Sequence, residues 1–375
     1  MQGSFRDAAC FSRPGGLSSR GPVVRLILKE RMNGYQRIRA ALSGGRPDRV
    51  PVMLHNFLMA AREAGFLQRQ FREDPAAIAV SFIRAVENYD YDGVLVDVDT
   101  VTLAEALGVK VDLPEDQPAR WAGPAIASLA EARDIPPRDV GRHPRVQVWL
   151  EAVRRLKAHF RGEVFVRGNC DQAGFSLASM IRGPAEWMMD LVDPANRGDA
   201  HALVAYCAGA AASFIRLMAS AGADMVSNGD SPAGPDLISP AMYAEFAQPY
   251  ERKLVEEAHR AVLPYTLHIC GNTTRILDGM LATGADALEL DYKTDVRAAR
   301  EAMRGRATFL GNIDPSAVLA LGTPALVEAK TRELLEVFAG TPGFILNAGC
   351  AIPAETPPAN LRAMIAAARS FEPRA

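Results

Sequence analysis

Three residues with soft ligand atoms stand out in the sequence. His268-Ile-Cys270 closes one β-rich run, and Asn347-Ala-Gly-Cys350 closes another eighty positions later. Residues i and i+2 of a strand point to the same side, so the imidazole and thiolate at 268 and 270 can converge on one ion. Two sulfurs and one nitrogen make a soft tetrahedral zinc set with a fourth vertex left for water or substrate. His-x-Cys alone is a common pattern. The competing reading is a core histidine with two buried structural thiols. The metal reading gains because all three residues stand at strand ends.

Those ends belong to eight β-rich runs separated by alanine- and leucine-rich amphipathic segments such as Tyr243–Ala261 and Pro324–Phe338. The first four runs are Arg49–Asn56, Asp92–Asp99, Glu163–Asn169 and Ala223–Asp230. The others are Val262–Ile269, Ala285–Asp291, Ala307–Ile313 and Gly343–Gly349. Near-continuous apolar strands alternating with helices predict parallel pairing with helices outside. Eight units predict an α/β fold, a single (β/α)8 TIM barrel with a long excursion after strand two that can carry a lid. A doubly wound sheet is the alternative, but no glycine-rich dinucleotide fingerprint follows the first strand. Nearly every run is apolar until its last residues and then turns polar: His55-Asn56, Asp97 and Asp99, Asn169-Cys170-Asp171, Asn228 and Asp230, Asp291, Asn312 and Asn347. In a parallel barrel these ends meet at one face, where active sites are built.

The 375 residues carry 42 Lys+Arg against 44 Asp+Glu, a net charge of -2, with 49% hydrophobic residues. This is ordinary globular usage, and the near-neutral balance argues against nucleic acid or an anionic membrane as partner. No run approaches about 18 apolar residues, so no membrane span is expected. Five widely spaced cysteines, an odd number, fit no disulfide framework and suit a reducing cytoplasm. Residues 1–31 lack periodicity and read as an N-terminal extension, disordered or non-native. The barrel is expected over 32–375, its first helix over Asn33–Leu42.

Several motifs together resemble the uroporphyrinogen decarboxylase superfamily over nearly all of 32–375. They are Pro47-Asp-Arg-Val-Pro-Val52, Glu105-Ala-Leu-Gly108, Ile238-Ser-Pro240, Leu310-Gly-Asn-Ile-Asp-Pro315 and Asn347-Ala-Gly-Cys350. Decarboxylases in that superfamily carry an arginine-rich Met-Arg-Gln-Ala-Gly-Arg element after the first strand, suited to clamping many carboxylates. This chain has Leu54-His-Asn-Phe-Leu-Met-Ala-Ala-Arg62 there instead. His268, Cys270 and Cys350 resemble the signature of the zinc-dependent corrinoid (methylcobamide) methyltransferase branch. That resemblance implies Zn2+, methyl transfer between a corrinoid and a thiol or tetrahydrofolate acceptor, and a zinc-bound thiolate as nucleophile. A separate corrinoid protein is expected as partner, because the chain has no Asp-x-His-x-x-Gly motif of its own. A homodimer is compatible with the reading. Asp99, Glu105 and Asp230 are the expected catalytic carboxylates. His55, Asn56, Asn169, Asn228, Asp291 and Asn347 are the expected substrate contacts, with Asp291 or Asp230 also able to orient or complete the metal set. The alternative is metal-independent decarboxylation of a tetrapyrrole or related acid, with Asp99, nine residues before Gly108, as its key carboxylate. A non-catalytic corrinoid-binding protein is the third reading.

Overall fold

A computed structural model of the protein describes residues 31–371. The expectation for the N-terminal extension therefore lies outside the described residues. In chain order the strands are β1 (Met53–Leu54), β2 (Gly93–Val96), β3 (Lys110–Asp112), β4 (Arg120–Gly123), β5 (Phe165–Gln172), β6 (Met225–Gly229), β7 (Tyr265–Ile269), β8 (Ala287–Leu290), β9 (Thr308–Ile313) and β10 (Phe344–Ala348). Eight of them form one sheet in the order β1-β2-β5-β6-β7-β8-β9-β10. All its neighbours pair in parallel, and a parallel bridge between Val52 and Leu346 brings the last strand back against the first. The fold is the expected (β/α)8 barrel. The segment between β2 and β5 carries the antiparallel β3–β4 ribbon and the helix Pro144–Phe160.

Side-chain alternation divides each strand between two surroundings. Leu54, Val94, Val166, Val226, Leu267, Leu288 and Leu346 face outward into the large core shared with the helices. Met53, Phe165, Met225, Ala287, Leu310 and Ile345 point inward and form a separate apolar layer with Ile38 and Ala41. The helix Gly34–Leu42 thus plugs the barrel from below. Asn33 starts it with a capping box, its side chain accepting from Gln36 N while Gln36 returns a bond to Asn33 N. At the next inward level most strands present polar residues, His55, Arg167, Ser227, His268, Glu289 and Asn347, while β2 presents Leu95. The barrel therefore has a greasy floor and a polar storey above it, set by a two-residue step. Ile38 is fully buried at the plug. Ile38→Ala is expected to cost about 2–5 kcal/mol in urea unfolding, from lost burial plus an unfilled cavity.

Two segments depart from their sequence expectation. β1 is only Met53–Leu54 rather than Arg49–Asn56. Pro51 has no N–H to give a ladder, and Asp92 ties down the approach by accepting from Val52 N at 2.9 Å and from the Arg49 guanidinium. The helix expected over Tyr243–Ala261 opens with a π-turn, Tyr243–Ala247, before the α-helix Gln248–Arg260. Pro249 lacks the N–H that a continuous α-helix needs, and the wider turn resets the register. Among the described residues one helical stretch, Pro194–Ser220, is long and apolar enough to cross a membrane by length and composition. Here its buried face, including Leu203, Cys207, Phe214 and Met218, joins the core outside the barrel.

Candidate metal centre

β7 delivers His268 and, two residues on and just past its end, Cys270. The strand β10 ends at Ala348, and one glycine later the chain reaches Cys350. The imidazole Nε2 of His268 lies 3.1 Å from Cys270 Sγ, and the two sulfurs are 3.6 Å apart. One ligand atom from each residue falls within 4.8 Å of the others. His268 Nδ1 donates to the Glu289 carbonyl at 2.9 Å, which turns Nε2 toward the sulfurs as the ring atom that a cation would take in place of its proton. This donor set fits a soft divalent cation. Hydrogen bonding from Cys350, together with the neighbouring His268 charge, overcomes burial and holds the Cys270 thiol down at about 3. Burial pulls the His268 imidazole down, but the Cys270 thiolate outweighs it and raises the ring to about 10. Cys350 is pushed up, first by its bond to Cys270 and then by burial. The cluster thus carries an anionic sulfur ready for a cation.

Two loops bring these ligands together. Asp291 accepts from Gly271 N at 2.9 Å, fixing the turn after Cys270, where Gly271 has a φ of 87°. Gly349 lies flat against the backbone of the loop after β8, and a Cβ there would stand 2.6 Å from Tyr292 N. Gly349→Ala is expected to push Cys350 out of the cluster and weaken metal binding by roughly 10–100-fold, the range seen when supporting groups are lost. Competition against a chromogenic chelator measures it.

The three ligands line a cavity of about 140 Å³ inside the barrel mouth. Its wall also holds two buried polar pairs that rest on the apolar storey. Arg167 Nη2 lies 2.5 Å from Glu289 Oε2, and Asn347 Nδ2 donates to Glu289 Oε1 at 2.8 Å. Burial works against the Glu289 carboxylate, yet the Arg167 guanidinium holds it down at about 2. His55 Nε2 meets Asp97 Oδ2 at 2.7 Å, with the ring stacked on Phe57.

The structure divides the expected residues into two groups. His55, Asn169 and Asn228 line the cavity beside His268, Cys270 and Cys350. Asn228 is nonetheless occupied, donating to the Cys170 carbonyl at 2.7 Å and accepting from Tyr265 OH at 3.0 Å. The others do not line it. Asn56 follows His55 and so points outward, its nearest partner Tyr91 OH at 3.5 Å. Asn347 and Asp291 are positioning groups, since Asn347 Oδ1 also accepts from His55 N at 3.0 Å. Asp99 is committed elsewhere: its Oδ1 accepts from Val101 N and Thr102 N, and its Oδ2 is clamped by Arg145. The same Arg145 holds Glu105 at 2.6 Å. Asp230 is fully buried behind β6, accepting from Ser176 N at 2.7 Å and Ser176 Oγ at 2.6 Å. Burial raises its carboxyl to about 6, with the Ser176 bonds opposing. Sequence reasoning passed over Arg167, Glu289 and Asp97 as site residues. The first two are charges inside otherwise apolar strands, a visible sign of an inward-facing polar site in a barrel.

A (β/α)8 barrel with a thiol–imidazole cluster at its carboxyl-end mouth is the class that the geometry defines. Residues 33–371 match the family model described as uroporphyrinogen decarboxylase (URO-D), and the chain belongs to that family. A methylcobamide:CoM methyltransferase MtbA from Methanosarcina mazei is 35% identical over 227 residues, 60% of this chain and 64% of that protein. The chain thus matches somewhat under two thirds of that relative's length. A uroporphyrinogen decarboxylase from Idiomarina loihiensis is 25% identical over 352 residues, 90% of this chain and 96% of that one. A solved structure of a methyltransferase from Methanosarcina mazei superposes with a TM-score of 0.83 at 23% identity, covering 91% of this chain and 99% of that one. That last likeness is one of fold.

Proposed function

We propose that the protein is a zinc-dependent methyltransferase that moves a methyl group between a corrinoid carried by a partner protein and a small thiol. The observation that carries this reading is the convergence of His268, Cys270 and Cys350 on one point of a cavity at the barrel mouth. His268 and the two cysteines would hold the ion. A bound zinc supplies a Lewis-acidic vertex at which a substrate thiol is held as its thiolate, the nucleophilic form. Two thiolate ligands offset the ion's charge and keep that sulfur nucleophilic.

The chain's own residues set the rest of the site. A void of about 150 Å³ holds a ligand the size of benzene, so the cavity here, about 140 Å³, suits a thiol of a few heavy atoms rather than an enclosed pterin. Arg167 keeps one guanidinium nitrogen, Nη1, buried without a partner, a donor available to an acceptor group on that substrate. The relative named for methylcobamide and coenzyme M supports the same chemistry, with the corrinoid docking over the mouth. The decarboxylase reading loses support at Asp99. Its carboxylate is consumed by Arg145 and two backbone N–H groups, away from the cavity. The experiment is thiol-dependent demethylation of methylcobalamin by purified protein. Turnover that stops with a chelator and returns with zinc is expected. Demethylation indifferent to the metal, or chelator-resistant decarboxylation of uroporphyrinogen, contradicts the proposal.

A further inference from the structure

A thiol that binds as thiolate must leave its proton somewhere, and the cavity wall offers few places. Glu289 has both carboxylate oxygens engaged, Oε2 with Arg167 and Oε1 accepting from Asn347, so it is a poor acceptor. Asp97 has both oxygens engaged, Oδ2 with His55 and Oδ1 accepting from Val98 N at 2.9 Å. Arg167 Nη1 is unpartnered but is a donor. There remains His55, more than nine-tenths buried and lining the same cavity as the metal cluster. Its bond to Asp97 places the ring proton on Nε2 and leaves the lone pair on Nδ1. That Nδ1 has no hydrogen-bond partner. Its nearest carboxylate oxygen, Glu289 Oε1, is 3.7 Å away, beyond a hydrogen bond, as befits a lone pair rather than a proton.

We infer that His55, oriented by Asp97, is the base that receives the substrate thiol's proton. This rests on the thiol chemistry proposed above. The S–H bond breaks, its electron pair stays on sulfur, and the proton moves to His55 Nδ1. The imidazolium so formed lies between Asp97 and Glu289, with Phe57 stacked on its face and Arg167 balancing Glu289 from the other side. The arrangement is an aspartate–histidine dyad in which the carboxylate fixes the tautomer and steadies the charged ring. His55 is thereby a catalytic residue and Asp97 a positioning residue.

The test counts protons rather than turnover. Zinc-loaded protein is titrated at pH 7 with 2-mercaptoethanol in buffers of different ionisation enthalpy, and calorimetry gives the protons released per thiol bound. The native protein is expected to release close to none, because the proton stays on His55. His55→Gln, with its zinc content unchanged, is expected to release close to one. Asp97→Asn keeps the ring but removes its anchor, and is expected to move release in the same direction. One proton released by the native protein, with no change in His55→Gln, overturns the inference while leaving metal and thiol binding intact. Native protein that holds no zinc removes both the inference and the function on which it rests.

Discussion

Cys350→Ala protein is expected to purify without stoichiometric zinc and to lose thiol-dependent demethylation of methylcobalamin. Structural zinc in zinc-finger peptides contributes an apparent binding energy of about 10–16 kcal/mol over four protein ligands, which sets the scale per ligand. Removing one thiolate therefore costs roughly 2.5–4 kcal/mol, and a tenfold change corresponds to about 1.4 kcal/mol, so affinity falls roughly 60- to 700-fold. Cys270→Ala is expected to act alike, and more severely on geometry, because His268 then loses its neighbouring sulfur at 3.1 Å. Cys207→Ala is the control. Its thiol is fully buried in the helix Arg197–Ser220, where burial and nearby Asp230 hold it protonated, and its loss should leave the zinc content unchanged. Metal analysis of the purified variants distinguishes these outcomes. Equal loss in all three would mean that the cysteines act through packing rather than ligation.

Arg167→Met is expected to destabilise the barrel by about 3–5 kcal/mol in urea unfolding, because it leaves the Glu289 carboxylate buried without its counter-ion. The pH dependence follows from the same pair. Glu289 is held at about 2 in the folded chain against about 4.3 in an unfolded one. Its contribution is therefore fully present above pH 4.3 and is lost as pH falls toward 2. In Arg167→Met burial raises the carboxyl above its unfolded value, so it escapes its penalty by taking a proton already above about pH 4.3; the stability gap between variant and native protein is expected to narrow there as pH falls, and to narrow further below about 4.3 as the native pair loses its contribution. The double variant Arg167→Met/Glu289→Gln should recover most of the loss, since no unpaired charge remains. A gap that stays constant across pH would place the cost of Arg167→Met in packing alone.

Much of this architecture can be read from period and position. The two-residue alternation that puts Met53, Phe165 and Met225 below and His55, Arg167 and Ser227 above is written directly in the strands. So is the convergence of His268 with Cys270, because a strand repeats its direction every second residue. Cys350 follows once eight strands close in order. What the linear sequence hides is how polar groups spend their bonds. Asp99 has the spacing of a decarboxylase carboxylate, yet Arg145, from a helix 46 positions further on, occupies it. Asp230 ends a strand as a site residue would, but packs against Ser176 instead of the cavity. Asn56 fails for a simpler reason: it stands one residue off the inward register set by His55. Arg167 and Glu289, 122 positions apart, reveal themselves as a pair only when β5 and β8 face each other across the barrel.

Zinc-edge X-ray absorption on the purified full chain tests the central assignment most directly. A full equivalent of zinc whose inner shell contains two sulfur scatterers and at least one nitrogen is the expected spectrum, losing one sulfur in any Cys350→Ala protein that retains metal. A protein without zinc, or a shell of nitrogen and oxygen only, would show that His268, Cys270 and Cys350 gather for some purpose other than holding the ion.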